Sequence, residues 1–284
     1  METYSIIRSQ QYTHHSNYFP YILDWKCNPY TFLKSIFYME SSAVLVYFLQ
    51  ETKIHPNFIT FLYCACGVIG GLLLSLPNCT ANIFATAIFF SKGILDWTDG
   101  HYARLTKQTS TTGHILDTYG ALLNDLGLRI GLGFFVFNKT GEIYILYILP
   151  LLVLFFAINL TSFSQAELFV KTKCEFTQDT SITNKNYFFE EKNELDNYSL
   201  RFYSMKNLYL NLTAILDERA RSVDFVCLCI LIDLSWGYSF STYIFLLMVI
   251  RQLSILIASY YIFYRYSLNE QRLACELKAT NVFP

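Results

Sequence analysis

Between Leu95 and Asp125 the chain reads LDWTDGHYARLTKQTSTTGHILDTYGALLND. Asp96 and Asp99 stand three residues apart, so at the end of a helix their carboxylates share a face. Gly100 follows, then Ala103 and Arg104, and Gly113 comes four residues before Asp117. Two helix ends joined by a short loop would therefore turn three carboxylates toward one another. Carboxylates at membrane depth are costly unless paired, hydrated or bound to a metal, and three that converge repel strongly without a cation. An all-oxygen set with no His or Cys suits Mg²⁺ or Mn²⁺ rather than zinc. Gly100, Ala103 and Gly113 leave room for a phosphorylated ligand to approach the backbone, and Arg104 offers a fork of donors suited to phosphate. Each Asp taken singly reads as a helix cap facing water. Together they read as a metal–phosphate site.

The elements that must position these residues are apolar helices. Of 284 residues 53% are hydrophobic and the formal charge is −1, so no global field favours nucleic acid, which is excluded as a partner. The apolar residues gather in long runs, and a bilayer core needs about 20 of them per spanning helix. Six runs qualify, at 57–76, 81–96, 113–136, 142–165, 222–236 and 240–264. Residues 32–50 hold Lys34 and Glu40, which favours an interfacial helix over a seventh span. The expected fold is thus all-α: a polytopic integral membrane protein with about six transmembrane helices and an N-terminal interfacial helix. It divides into an N-terminal segment 1–51, a membrane domain 52–266 with a polar insertion at 168–207, and a tail 267–284.

Lys and Arg cluster before the first run, between the second and third, between the fourth and fifth, and after the sixth, whereas the opposite loops hold only Lys139. The positive-inside rule then places both termini, the 96–113 segment and the 168–207 insertion in the cytoplasm. The first 50 residues lack the charged start, short apolar core and small-residue cleavage site of a signal peptide. The reading adopted is a bacterial cytoplasmic membrane in preference to the endoplasmic reticulum. The eight cysteines lie mostly in or beside apolar runs and read as small apolar fillers. No repeated halves or paired broken helices point to a transporter.

The spacing around Asp96 resembles the signature of the CDP-alcohol phosphatidyltransferases, D-x2-D-G-x2-A-R-x8-G-x3-D-x3-D. It is met by Asp96, Asp99, Gly100, Ala103, Arg104, Gly113 and Asp117, and HPNFIT at 55–60 looks like the family's lead-in. The resemblance covers about 52–165 and implies metal-dependent transfer of a substituted phosphoryl group from a CDP-alcohol donor to an acceptor alcohol. CMP would be released, as in phospholipid synthesis. It implies Mg²⁺ or Mn²⁺ on Asp96, Asp99 and Asp117, a nucleotide against Gly100, Ala103, Arg104 and Gly113, a bilayer setting and a homodimer.

One departure matters more than the matches. The family's last Asp falls at position 121, which here is Ala121. In the family that residue is thought to help bind a second metal and to deprotonate the acceptor, so the base is left unnamed. His114, three residues before Asp117, and Asp125, one turn past position 121, are the nearby candidates besides Asp117 itself. Asp125 also reads as half of an intrahelical pair with Arg129. The second hypothesis is a degenerate member that binds a CDP-linked ligand or a partner without turnover.

Other charges keep two readings each. Lys92, one turn before Asp96, either neutralises the carboxylates or snorkels to the surface. Arg219 and Arg221, in DERARSVD at 217–224, either receive an acceptor's phosphate or anchor a span at the cytoplasmic side. Asp233 and Arg251 read as a buried pair across neighbouring helices.

Overall fold

The computed structural model describes residues 2–18, 23, 25, 29–52, 54–159 and 219–266, and every regular element among them is helical. The helices are α1 (Tyr4–Tyr18), α2 (Pro29–Leu49), α3 (Pro56–Leu74), α4 (Cys79–Leu105) and α5 (Thr111–Thr140). Then come α6 (Tyr144–Asn159), α7 (Arg219–Trp236) and α8 (Phe240–Tyr266). The polar insertion expected at 168–207 and the tail from 267 lie outside the described residues.

Local chemistry marks the helix starts. The His55 ring accepts the Asn57 N–H at 3.2 Å just before Pro56 opens α3. The Asn78 side chain accepts from the Ala81 N–H at 3.1 Å, and Ser110 Oγ from the Gly113 N–H at 3.0 Å, each satisfying a donor that the first turn leaves free. Helix α5 ends on Gly141 at φ 71°, the left-handed conformation glycine adopts most cheaply. Helix α4 closes on Lys107, at φ 57°, whose reversal lets the Gln108 N–H reach the Ala103 carbonyl at 2.8 Å. The loop to α5 is therefore tight.

Among the described residues four helices are long and apolar enough to cross a membrane: α2, α3, α5 and the Phe240–Ile257 part of α8. Helix α6 is apolar but shorter. Helices α4 and α7 carry the charges Lys92, Asp96, Asp99 and Arg104, and Arg219, Arg221, Asp224 and Asp233. The interfacial segment expected at 32–50 falls in α2, which is 21 residues long and packs on α4.

Helix α3 lies against both α4 and α5; α1 packs on α2, α7 against α4 and α8, and α8 against α5. The contact of α3 with α5 is backbone on backbone. A Cβ at Gly67 would lie 2.5 Å from the Asn124 nitrogen, one at Gly71 2.7 Å from the Gly127 carbonyl, and one at Gly127 2.0 Å from the Gly67 carbonyl. Without the hydrophobic effect to drive association inside lipid, such small-residue faces let helices gain dispersion by close approach. The main core joins Leu74, Phe89, Leu132, Leu152, Ile230 and Phe245 from six helices, and a smaller cluster of Ile7, Ala43, Val46, Ile59 and Tyr102 fastens α1 and α2 onto α3 and α4.

The expected pairing of Asp233 with Arg251 is not what forms. Asp233 accepts the Phe240 N–H at 2.8 Å and the Ser241 N–H at 2.9 Å, capping α8, and its charge partner is Lys139 at 3.4 Å. The orphan N–H groups of α8 begin within seven residues of Asp233, so local capping wins over an arginine more than two turns along the helix.

Candidate functional site

The α4–α5 turn brings the two halves of the Asp-rich motif side by side, and α3 fixes them. Thr60 Oγ1 donates to Asp99 Oδ2 at 2.7 Å, and the Gly100 N–H donates to Asp99 Oδ1 at 2.6 Å. One turn further along α3, the Tyr63 carbonyl accepts from Asn124 Nδ2 at 2.8 Å, and the Tyr63 ring lies on Gly120. A residue with a side chain at 120 would push α5 away from α3 and shift Asp117.

Two cavities flank these carboxylates. The first, of about 300 Å³, is lined by Thr60, Asp99, Gly100, Ala103, Arg104, Gly113, His114 and Asp117, with Asn57 and Ser110 at its edge. A Cβ at Gly100 would come 3.3 Å from Arg104 Nη1, so the glycine leaves the guanidinium its place beside the cavity. Arg104 Nη2 also donates to Gln11 Oε1 of α1 at 3.4 Å. Gln11 is 1% exposed, and its amide Nε2 donates to Ser42 Oγ of α2 at 3.2 Å. A cation, small residues and a helix-start serine facing one hollow suit a phosphorylated ligand.

The second cavity, of about 290 Å³, is lined by Tyr38, Tyr63, Phe89, Lys92, Asp96, Trp97, Asp117, Ala121, Val223 and Asp224, among others. Asp117 therefore borders both hollows. The Asp96 and Asp117 carboxyl groups meet one another, and Asp99 lies within electrostatic range of the contact. Lys92, 8% exposed, is the nearest cation on the same helix. It stays inside, facing Asp96 and Asp125, and does not snorkel. Asp224, which also lines this cavity, pairs with Lys34 of α2 at 2.6 Å and accepts from the Tyr30 hydroxyl. The Lys34 ammonium lies 3.7 Å from the centroid of the Phe90 ring and 4.9 Å from that of Tyr38.

Of the residues singled out in the sequence, Asp99, Gly100, Ala103, Arg104, Gly113, His114 and Asp117 share the first cavity, and Lys92, Asp96, Asp117 and Ala121 share the second. Asp125 lines neither; it is buried with Arg129 Nη1 at 3.6 Å from Oδ2, the i to i+4 pair. The first turn of α7 carries Arg219 and Arg221, whose side chains lie outside the described residues. Sequence reasoning missed Thr60, Gln11, Tyr63 and Asp224. Thr60 was within reach, since it ends the HPNFIT lead-in, and Asp224 ends the DERARSVD segment that drew notice only for its arginines.

A donor set of three carboxylates with neither imidazole nor thiolate has the chemistry of a hard divalent ion site, and the Asp96–Asp117 contact places like charges where such an ion would relieve them. Among the described residues no three His, Cys, Asp or Glu side chains stand close enough to form a closed ligand set. Asp99, held by Thr60 and Gly100, is the member already engaged by the protein.

Residues 53–177 match the family model described as CDP-alcohol phosphatidyltransferase. The match spans α3 to α6 and holds all of the Asp-rich motif; α1, α2, α7 and α8 lie outside it. The comparison gave no match among curated proteins and none among solved structures.

Proposed function

With that family match as premise, we propose that the protein transfers a substituted phosphoryl group from a CDP-alcohol to an acceptor alcohol, with release of CMP. The observation that carries the reading is the position of Asp117, on the border between a cavity suited to a diphosphate and a second one that can admit an alcohol. The donor's diphosphate would lie in the first cavity, steadied by the Arg104 fork and admitted by Gly100 and Gly113. Gln11 and Ser42 would keep that guanidinium oriented. The acceptor would enter the second cavity, its body against Tyr38, Tyr63 and Trp97 and its hydroxyl in line with the transferring phosphorus.

Asp96, Asp99 and Asp117 would hold Mg²⁺ or Mn²⁺, which supplies Lewis-acid polarisation of the phosphoryl oxygens and stabilises charge on the departing CMP. Lys92 would offset the same carboxylates from within α4. His114 would lie on the donor side, near the nucleotide. Asp125, tied to Arg129, would steady α5. Arg219 and Arg221 would meet an acceptor's phosphate at the mouth of α7.

The setting proposed is an integral membrane protein with six spans, α3 to α8, and the motif end facing the cytoplasm, a reading supported by the distribution of Lys and Arg. Helix α4 has 27 residues, a length of about 40 Å at 1.5 Å per residue against a hydrocarbon core of about 30 Å. Its last turns, with Asp99 and Arg104, would then stand at the rim where water and nucleotide have access.

Ala121 supports a second reading. It leaves the second cavity without a carboxylate at that point of α5, which fits a chain that binds a CDP-linked ligand and does not turn it over. The test is CMP release by purified protein with Mg²⁺ or Mn²⁺ across CDP-linked donors and alcohol acceptors. Metal-dependent release that Asp117→Asn abolishes is the expected result. Tight CDP binding with no release from any pair would favour the binding-only reading.

A further inference from the structure

The second cavity holds one carboxylate that the metal set does not use. Asp96 and Asp117 face each other across α4 and α5, whereas Asp224 comes from α7, lines the same cavity and lies outside the family-matched segment. Its two oxygens are in different situations. Lys34 and the Tyr30 hydroxyl both engage Oδ2, and Oδ1 has no protein partner among the described residues. A buried ion pair is a poor stabilising device, because desolvation of the two charges offsets much of their attraction. Lys34 and Asp224 have side chains only 9% and 10% exposed. The pair lies beside a cavity that a ligand can enter.

We infer that Asp224 is the group that accepts the proton of the acceptor alcohol. The inference rests on the transfer reaction proposed above. The alternatives within reach are fewer than the sequence suggests. Position 121 is an alanine that lines the same cavity, Asp125 is outside both cavities, and His114 lines the donor hollow. Lys92 is a cation facing Asp96. Tyr38 and Tyr63 are phenols, weak proton acceptors among neighbouring carboxylates.

In the step, the acceptor's O–H proton passes to Asp224 Oδ1 as its oxygen forms a bond to the donor's phosphorus. The bond from that phosphorus to the CMP oxygen breaks, and CMP leaves with the electron pair. Asp224 then returns the proton to water through the open cavity. Lys34, on Oδ2, fixes which oxygen faces the cavity. Thus α2 and α7, both outside the family-matched segment, supply at this cavity what position 121 lacks.

The charged and titratable groups that face Asp224 are Lys34, Tyr30 and Tyr38 from α2, Lys92 and Asp96 from α4, and Cys227 on its own helix. The experiment uses full-length protein in nanodiscs and reads two quantities, metal-dependent CMP release and Mn²⁺-dependent CDP binding. Asp224→Asn should lower release by about 10²–10⁴-fold, the usual worth of a general base, with CDP binding unchanged. Asp224→Glu should recover part of the rate. Because an unpartnered Lys34 could disturb folding, the double variant Lys34→Gln, Asp224→Asn serves as a second test and should show the same loss with CDP still bound. Release that survives in both variants overturns the assignment alone. An equal loss of CDP binding also overturns it, since the pair would then be structural. No release from wild-type protein overturns the transfer reaction and this assignment with it.

Discussion

Thr60 of α3 donates a 2.7 Å hydrogen bond to Asp99 of α4, so the lead-in to the motif and the motif itself meet in one buried contact. Hydrogen bonds to charged groups contribute about 1.5–3 kcal/mol. Thr60→Val, which keeps the shape and removes the donor, should weaken Mn²⁺-dependent CDP binding by about tenfold or more, equivalent to at least about 1.4 kcal/mol. Thr60→Ser should bind like wild type. Calorimetric titration of the three proteins decides it, and equal affinities would show that Asp99 needs no help from α3.

The glycine contacts separate packing from function. Gly127→Ala puts a Cβ 2.0 Å from the Gly67 carbonyl, which only a shift of α5 from α3 can relieve. A loss of about 1–3 kcal/mol, the usual range for overpacking, should appear as a lower unfolding midpoint in detergent. Gly100→Ala meets only Arg104 Nη1 at 3.3 Å. It should leave that midpoint unchanged and weaken CDP binding.

These contrasts show what a single chain of letters discloses. Apolar runs at 57–76 and 113–136 mark α3 and α5 to within a few residues because lipid burial is written as composition. The three-residue spacing puts Asp96 and Asp99 on α4, where Asp99 lines the first cavity and Asp96 the second. The expected end of that element near Asp96 was early, since α4 runs on to Leu105. Polarity marks where burial stops, and a hydrogen-bonded helix need not stop there. Helix α1 was not read at all, for its 15 residues are mostly polar and its anchors are a few separate side chains, such as Ile7 in the smaller cluster and Gln11 on Arg104. Asp224 was illegible as a site residue for another reason. Its meaning comes from Lys34, 190 residues away in sequence, and closure over that distance leaves no local periodicity.

Docking of α1 should depend on pH. His15 is buried, and its ring stacks on Trp97 with centroids 4.5 Å apart and planes 3° from parallel. Burial pushes the His15 imidazole below the usual histidine value; the Gln11 carbonyl acts in the opposite direction, and Arg104 lowers it further. His14 is lowered too, chiefly by burial. A depressed value means that the folded state favours neutral imidazole. Its contribution is complete above the unfolded value of about 6.5 and is lost as pH falls through the folded value. Amide exchange in α1, corrected for intrinsic rates, should therefore accelerate at pH 5 relative to pH 7.5. His15→Phe, which keeps an aromatic ring, should remove most of the dependence.

Topology can be read from single cysteines in a cysteine-free background. Glu142, exposed in the α5–α6 turn, and Thr109, exposed in the α4–α5 turn, lie at opposite ends of α5. With the motif end facing the cytoplasm, Glu142→Cys should react with an impermeant maleimide in intact cells and Thr109→Cys only after lysis. The reverse pattern would turn the molecule over.

Trp97 carries a practical consequence. The chain has three tryptophans; Trp25 and Trp236 are 51% and 70% exposed, whereas Trp97 is sandwiched against His15 and forms part of the wall of the second cavity. Indole emission moves to shorter wavelength as water leaves its surroundings and dims beside a protonated imidazole. With the other two replaced by phenylalanine, the molecule becomes its own fluorescent sensor. A shift in colour would mark entry of an alcohol into the hollow, and a change in brightness would mark the state of α1.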